Sequence, residues 1–219
     1  MLVLSHRGDR AGGTIPENTL EAFAHALTRG ADGIETDVRV TADGRAVLHH
    51  DRLLPDGTPL SCVRFDDLAR HASHAVPLLD DALSRFDVIW NLEIKTPAAA
   101  TATIDAVKRW GESRRLLVTS FRHDVIAQVT AAAPVDCGLL IVHRPIEIDS
   151  MLSAWRAQPR VRTIIWDFEF VDPLLLSHAA EHGWRSFVYG MHTPGEHRLC
   201  EQWGAAGVIT DHLDMVWPT

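Results

Sequence analysis

The sequence has no long apolar run, few cysteines and no surplus of positive charge. Its hydrophobic stretches are strand-sized and bounded by polar residues, far short of the roughly 20 apolar residues that cross a bilayer as a helix, so no stable membrane insertion is expected. Three cysteines occur in 219 residues. Cys62, Cys137 and Cys200 lie far apart, form no Cys-x-x-Cys pair and leave one thiol over in any pairing. That excludes a disulfide-stapled scaffold and points to a reducing compartment. Asp and Glu outnumber Lys and Arg by 29 to 21, for a formal net charge of -8. A chain that lives on nucleic acid or an anionic membrane needs a basic face, so neither is an expected partner, and any phosphate must be met by a local cluster of cations or by a metal. The N-terminal Met1-Leu2-Val3-Leu4-Ser5-His6 carries no basic n-region, apolar core or small-residue cleavage site, and a cytoplasmic location is the expectation. Linkers, repeats and low-complexity segments are absent too.

Hydrophobic residues make up 46% of the chain and charged residues 23%, with Pro and Gly spread along it. This is the composition of a self-sufficient globular domain, and the length suits one core, taken as a single domain over residues 1–219. Apolar, β-rich runs alternate with helical patterns from end to end. The expected strands are 2–5, 33–40, 88–95, 116–121, 137–142, 162–168, 186–191 and 207–210; the expected helices are 20–29, 79–86, 98–111, 124–133, 148–158, 173–182 and 196–203. Eight strands with interleaved helices make the fold class α/β, with a (β/α)8 TIM barrel leading and an open doubly wound sheet as the rival. One β-like run, 46–50, follows its predecessor too closely for a parallel crossover. It reads as an antiparallel hairpin arm, turning near Asp43 and returning His50 to the level of Thr36 and Asp37.

Polar residues at strand period carry the chemistry. Barrel strands are apolar on both faces except where an end reaches a functional site. Glu35 and Asp37 are two apart and share a face, Asn91, Glu93 and Lys95 share another, and the first strand ends in Ser5-His6-Arg7-Gly8. Three converging carboxylates repel one another unless a cation sits between them. Two readings stand on spacing alone: a hard divalent ion held by Glu35, Asp37 and Glu93, or structural ion pairs with Arg7, Lys95 and Arg39. His6 and His50 end their runs and titrate near neutrality, as a general acid and base must. Of 13 histidines, His25, His71, His74, His123, His178, His182, His197 and His212 read as surface or capping residues, with His49 the bystander of its pair.

His6-Arg7-Gly8, Pro16-Glu17-Asn18-Thr19, Glu35-Thr36-Asp37-Val38, Thr41-x-Asp43-Gly44, His50-Asp51, Leu92-Glu93-Ile94-Lys95 and Ser120-Phe121 resemble, in order and spacing, the signature of glycerophosphodiester phosphodiesterases. The resemblance spans most of the chain. It implies the TIM barrel, Glu35, Asp37 and Glu93 as ligands of one divalent cation (Mg2+ or Ca2+, with Mn2+ as a further option), His6 and His50 as acid/base pair, Arg7 and Lys95 as cations facing phosphate, and a small glycerophosphodiester as substrate. Asn18 reads equally as an N-cap for the helix near Leu20. Two departures touch the substrate mouth: a short loop after Asp51, and Tyr189-Gly190-Met191-His192 where the family carries Trp-Thr-x-Asn. A lysophospholipase D on the same scaffold and a silent barrel that only binds metal and phosphoester are the alternatives.

Overall fold

The computed structural model describes residues 1–216, so the last three residues of the expected 1–219 domain lie outside the described residues. The chain runs β1 (Leu2–His6), α1 (Leu20–Thr28), β2 (Gly33–Val40), β3 (Ala46–Leu48), α2 (Leu79–Arg85), β4 (Ile89–Ile94), α3 (Pro97–Trp110), β5 (Arg115–Ser120) and α4 (His123–Ala132). It continues through β6 (Asp136–Ile141), α5 (Ile148–Ala154), β7 (Val161–Asp167), α6 (Pro173–Glu181), β8 (Arg185–Tyr189), α7 (Pro194–Gln202), β9 (Gly207–Thr210) and α8 (Leu213–Val216). Every strand but β3 is parallel to its neighbours. β1 pairs with β9 on one side and with β2 on the other, Leu4 opposite Gly33 and His6 opposite Glu35. That second pairing closes the ring, so the sheet is an eight-stranded barrel and not an open doubly wound sheet.

Alternation along the strands builds two apolar layers. Leu4, Leu140, Ile165, Phe187 and Ile209 fill the inside of the barrel. Val3, Ile34, Trp90, Val118 and Val208 point outward under the helices, each fully buried large side chain contributing about 1.5–3 kcal/mol. Trp90 meets the edge of Phe23 from α1 with ring centroids 5.4 Å apart. Gly207 is small because Phe187 plugs the barrel there: a Cβ at 207 would stand 2.2 Å from the Phe187 ring. Local chemistry starts the helices where they start. Thr19 caps α1, Asp172 followed by Pro173 opens α6, and α7 opens on a reciprocal Thr193–Glu196 box followed by Pro194.

The hairpin arm is present. β3 runs antiparallel to β2, with Val38 opposite Leu48 and Val40 opposite Ala46. Gly44 supplies the left-handed turn at φ +78°, and the Thr41 hydroxyl donates to Asp43 while accepting from the Arg45 amide. β1 stops at the level of Glu35 and leaves the upper edge of β2 open; β3 takes that edge from above. Two chain segments running towards each other therefore end over the same stretch of β2, which is why His6 and His50 come together.

Differences from expectation are local. α5 ends at Ala154, short of 158, because the Arg162 guanidinium claims the carbonyls of Trp155, Gln158 and Val161. Residues 60–70 form two short helical turns around a satellite core of Val47, Leu54, Leu60, Val63, Leu68 and Val76. Among the described residues no helix is long and apolar enough to cross a membrane.

Candidate active site

The polar cluster sits at the C-terminal end of the barrel. Register sets Glu35 beside Asn91 and Asp37 beside Glu93, so the inward faces of β2 and β4 present three buried carboxylates. One oxygen of each lies within 4.8 Å of the others. Just past β4, Lys95 Nζ reaches Asp37 Oδ1 at 2.9 Å and Glu93 Oε1 at 2.7 Å. Arg7, just past β1, brings Nε to 3.1 Å from Asp37 Oδ2 and donates from NH1 to Glu17 at 3.0 Å. Its backbone is left-handed (φ +57°), and its amide donates to the Glu35 carbonyl at 2.9 Å. Strained backbone of this kind persists where the surroundings over-determine it, which is common at functional sites.

Charges do not balance in this cluster. Burial, then the neighbouring Asp37 and Glu93, push the Glu35 carboxyl up to about 8. Burial also pushes Asp37 upward, but Lys95 and Arg7 win and hold it below the usual carboxylate range. Glu93 is raised by burial against the pull of Lys95. Two cations thus neutralise Asp37 and Glu93, while Glu35 has the His6 ring 3.8 Å away and the Arg7 amide, which donates to its Oε2 at 3.3 Å. The expected partnership with Arg39 does not form: its Nε donates to the His50 carbonyl at 2.7 Å. Asp37 is fully buried, with Oδ1 held by Lys95 and Oδ2 by Arg7 and Asn18. Three buried carboxylates gathered within 4.8 Å against two cations are short of positive charge, an environment that a hard divalent ion suits, and these donors fit one.

Both histidines are aimed by carboxylates. Asp211, just past β9, lies 2.9 Å from His6 Nδ1, and Asp51 lies 2.9 Å from His50 Nδ1. In each ring Nδ1–H donates to the carboxylate, leaving Nε2 to exchange a proton. Burial pulls His6 downward, and the neighbouring carboxyl groups, led by the bond to Asp211, more than offset it, leaving the ring raised. His6, Arg7, Glu35, His50, Glu93 and Lys95 all line one cavity of about 220 Å³, together with Phe121, Leu140, Ile165, Tyr189 and Ile209. Asp37 lies fully buried beneath them. The seven candidate residues are therefore gathered at one place.

Asp211 carries no role in the sequence reading, and Asn18 is there equally a cap. Asn18 is not the cap of α1, a place Thr19 takes. Left-handed at φ +56°, it donates from Nδ2 to Asp37 Oδ2 at 2.8 Å and accepts from the Thr36 hydroxyl at 2.6 Å. Asp211 was detectable: it continues the inward parity of Ile209, two residues on. Within the departing segment 189–192, Tyr189 lines the cavity, with its ring edge-on to Phe121 at 6.5 Å. His192 lies outside the lining, its amide donating to Glu196 at the start of α7.

A model of the Glycerophosphoryl diester phosphodiesterase family matches residues 6–215. The chain belongs to this family. A glycerophosphodiester phosphodiesterase of Caldanaerobacter subterraneus is 28% identical over 96% of this chain and 93% of its own. Among solved structures, the glycerophosphodiester phosphodiesterase of Thermotoga maritima superposes with a TM-score of 0.83 at 26% identity, covering 99% of this chain and 96% of that one. A phosphodiesterase of Oleispira antarctica, solved in complex with the product sn-glycerol-3-phosphate, shares the fold at 21% identity and a TM-score of 0.87, over 99% of this chain and 95% of that one. As a phosphodiesterase of this family, the chain is a hydrolase whose substrate class is the small glycerophosphodiester.

Proposed function

We propose that this chain, as a single barrel domain over residues 1–219, hydrolyses glycerophosphodiesters to glycerol 3-phosphate and an alcohol with one divalent cation at Glu35, Asp37 and Glu93. The observation that carries the reading is the pair of carboxylate-aimed histidines facing the carboxylate cluster across one cavity. Mg2+ or Ca2+ suits the all-oxygen donors, with Mn2+ next. When bound, a divalent ion supplies Lewis-acid withdrawal of charge from the phosphoryl oxygens.

The chain's own residues do the remainder. Arg7 and Lys95 stabilise negative charge as it redistributes over the phosphoryl group. Asp211 and Asp51 hold the imidazoles with Nε2 forward, one to take the proton of the attacking hydroxyl or water and the other to give a proton to the departing alkoxide. Asn18 fixes Asp37 from beneath. The apolar wall of Phe121, Leu140, Ile165 and Ile209 excludes water and strengthens these charge interactions. Three free thiols fit work in the reducing cytoplasm.

A panel of glycerophosphodiesters assayed with and without a chelator, read out as glycerol 3-phosphate, tests the proposal. Activity that is indifferent to chelation overturns the cation, and a panel with no turnover overturns the substrate. The apolar wall also favours a lysophospholipase D reading, so lysophospholipids belong in the panel; kcat/KM that rises with acyl length selects that reading.

A further inference from the structure

Outside the active centre, a second group of side chains of metal-ligating type sits on the helical shell where α5 meets α6. Asp149 lies in the first turn of α5; His178 is in the last turn of α6 and His182 closes it. Four residues apart on a helix, the two imidazoles share a face, and their ring centroids are 4.5 Å apart. His178 Nε2 stands 2.6 Å from Asp149 Oδ1, and His182 Nε2 stands 3.9 Å from the same oxygen. The three donor atoms all lie within 4.8 Å of one another.

The tautomer of His182 decides what this group can hold. Its Nδ1 is 2.9 Å from the carbonyl of His178. A carbonyl only accepts, so Nδ1 carries the proton and Nε2 of the neutral ring is a lone pair aimed at the Asp149 carboxylate. Two acceptors face each other across 3.9 Å, and the His178 proton satisfies only one of them. Metal-ligating histidines show this arrangement, in which the distal ring nitrogen donates to a carbonyl and the proximal one is left basic. Of the two cations nearby, Arg156 and Arg162, the latter has NH1 bonded to the carbonyls of Trp155, Gln158 and Val161. An adjoining cavity of about 330 Å³, lined by Ser153, Trp184 and the two arginines as well as Asp149 and His182, leaves room for water to complete the coordination.

We propose that Asp149, His178 and His182 form a transition-metal site of the zinc class that ties α5 to α6. Two imidazoles and one carboxylate select Zn2+ and its late first-row neighbours over the hard ions suited to the active centre. Around a tetrahedral zinc, donors about 2.0–2.2 Å from the metal stand roughly 3.3–3.6 Å apart. The present spacings reach that by small side-chain rotations, with the metal replacing the His178 proton.

Zn2+ is the probe, followed by calorimetry and by thermal melts on the full chain, with 1 mM-range Mg2+ present to occupy the active centre (roughly the upper end for weak hard-ion sites). Two variants separate the sites: His182→Ala removes a ligand here, and Glu93→Gln removes one at the active centre. The wild type and Glu93→Gln are expected to bind Zn2+ under these conditions and to melt at higher temperature with it. His182→Ala is expected to bind Zn2+ tenfold or more weakly, to lose the zinc-dependent rise, and to keep its zinc-free melting temperature and its diesterase activity. A Zn2+ isotherm of His182→Ala that superimposes on that of the wild type overturns the site. So does a zinc-dependent rise that disappears in Glu93→Gln and persists in His182→Ala.

Discussion

Glu35 is the residue on which the electrostatics of the cluster turn. Its carboxyl, shifted from 4.5 to about 8, holds a proton in the metal-free protein across the neutral range. The folded state therefore binds more protons than the unfolded chain between those values, and stability falls as pH rises through that window. Glu35→Gln removes the ionisation, so the metal-free variant should melt at the wild-type temperature near pH 5 and above it at pH 8 to 9. Cation-dependent activity should be lost at the same time, and melts across pH beside metal calorimetry check both. Cation binding to the wild type must expel the Glu35 proton, so affinity should rise close to tenfold per pH unit below 8 and level off above it. Asp211 makes a different demand. Its bond helps raise His6, so Asp211→Asn should lower the His6 pKa and move that limb of the kcat/KM profile to lower pH, with a loss of about 10²-fold or more from the misoriented ring. A profile of unchanged shape means that His6 titration does not limit the rate. At this scale the carboxylates, both cations and both histidines were legible as polar residues at strand period. Asn18 was not, because an asparagine before a helix reads as a cap, and only the left-handed turn at position 18 carries its side chain back to Asp37.

Among the elements, the β2–β3 hairpin carries the longest lever. His50 reaches the cavity because β3 keeps a register in which Val38 faces Leu48. A one-residue slip puts each side chain of a strand on its other face. Inserting one residue between Asp43 and Gly44 should therefore lower kcat by about 10²–10⁴-fold, the usual worth of a general acid or base, with far-ultraviolet circular dichroism unchanged. Gly44→Ala keeps the register and meets nothing within 4 Å, so it should cost only about 1 kcal/mol for its left-handed backbone and leave kcat intact. Denaturant titration beside steady-state kinetics distinguishes the two. The hairpin was readable because five residues between two β-like runs cannot make a crossover. The turns of residues 60–70 were not, since their apolar residues follow neither period and are ordered by packing on Val47 and one another.

For the whole molecule, periodicity alone left the sheet open or closed. What decides it is the pairing of β1 with β2, a contact between neighbours in sequence that shuts the ring only after β9 has come to lie against β1. The functional centre straddles that seam: His6 on β1 takes its orientation from Asp211 beyond β9 and faces Glu35 on β2. Catalysis thus doubles as a clock for the last event of folding. Pairing the first strand with the last requires closure of nearly the entire chain, the most distant contact the topology contains, and such contacts are slow to form. On dilution from denaturant, helix signal and buried tryptophan fluorescence should recover ahead of turnover, and activity should return only with the slowest phase. Turnover that reappears together with the first far-ultraviolet signal would mean that the seam forms early and that the barrel grows outward from it.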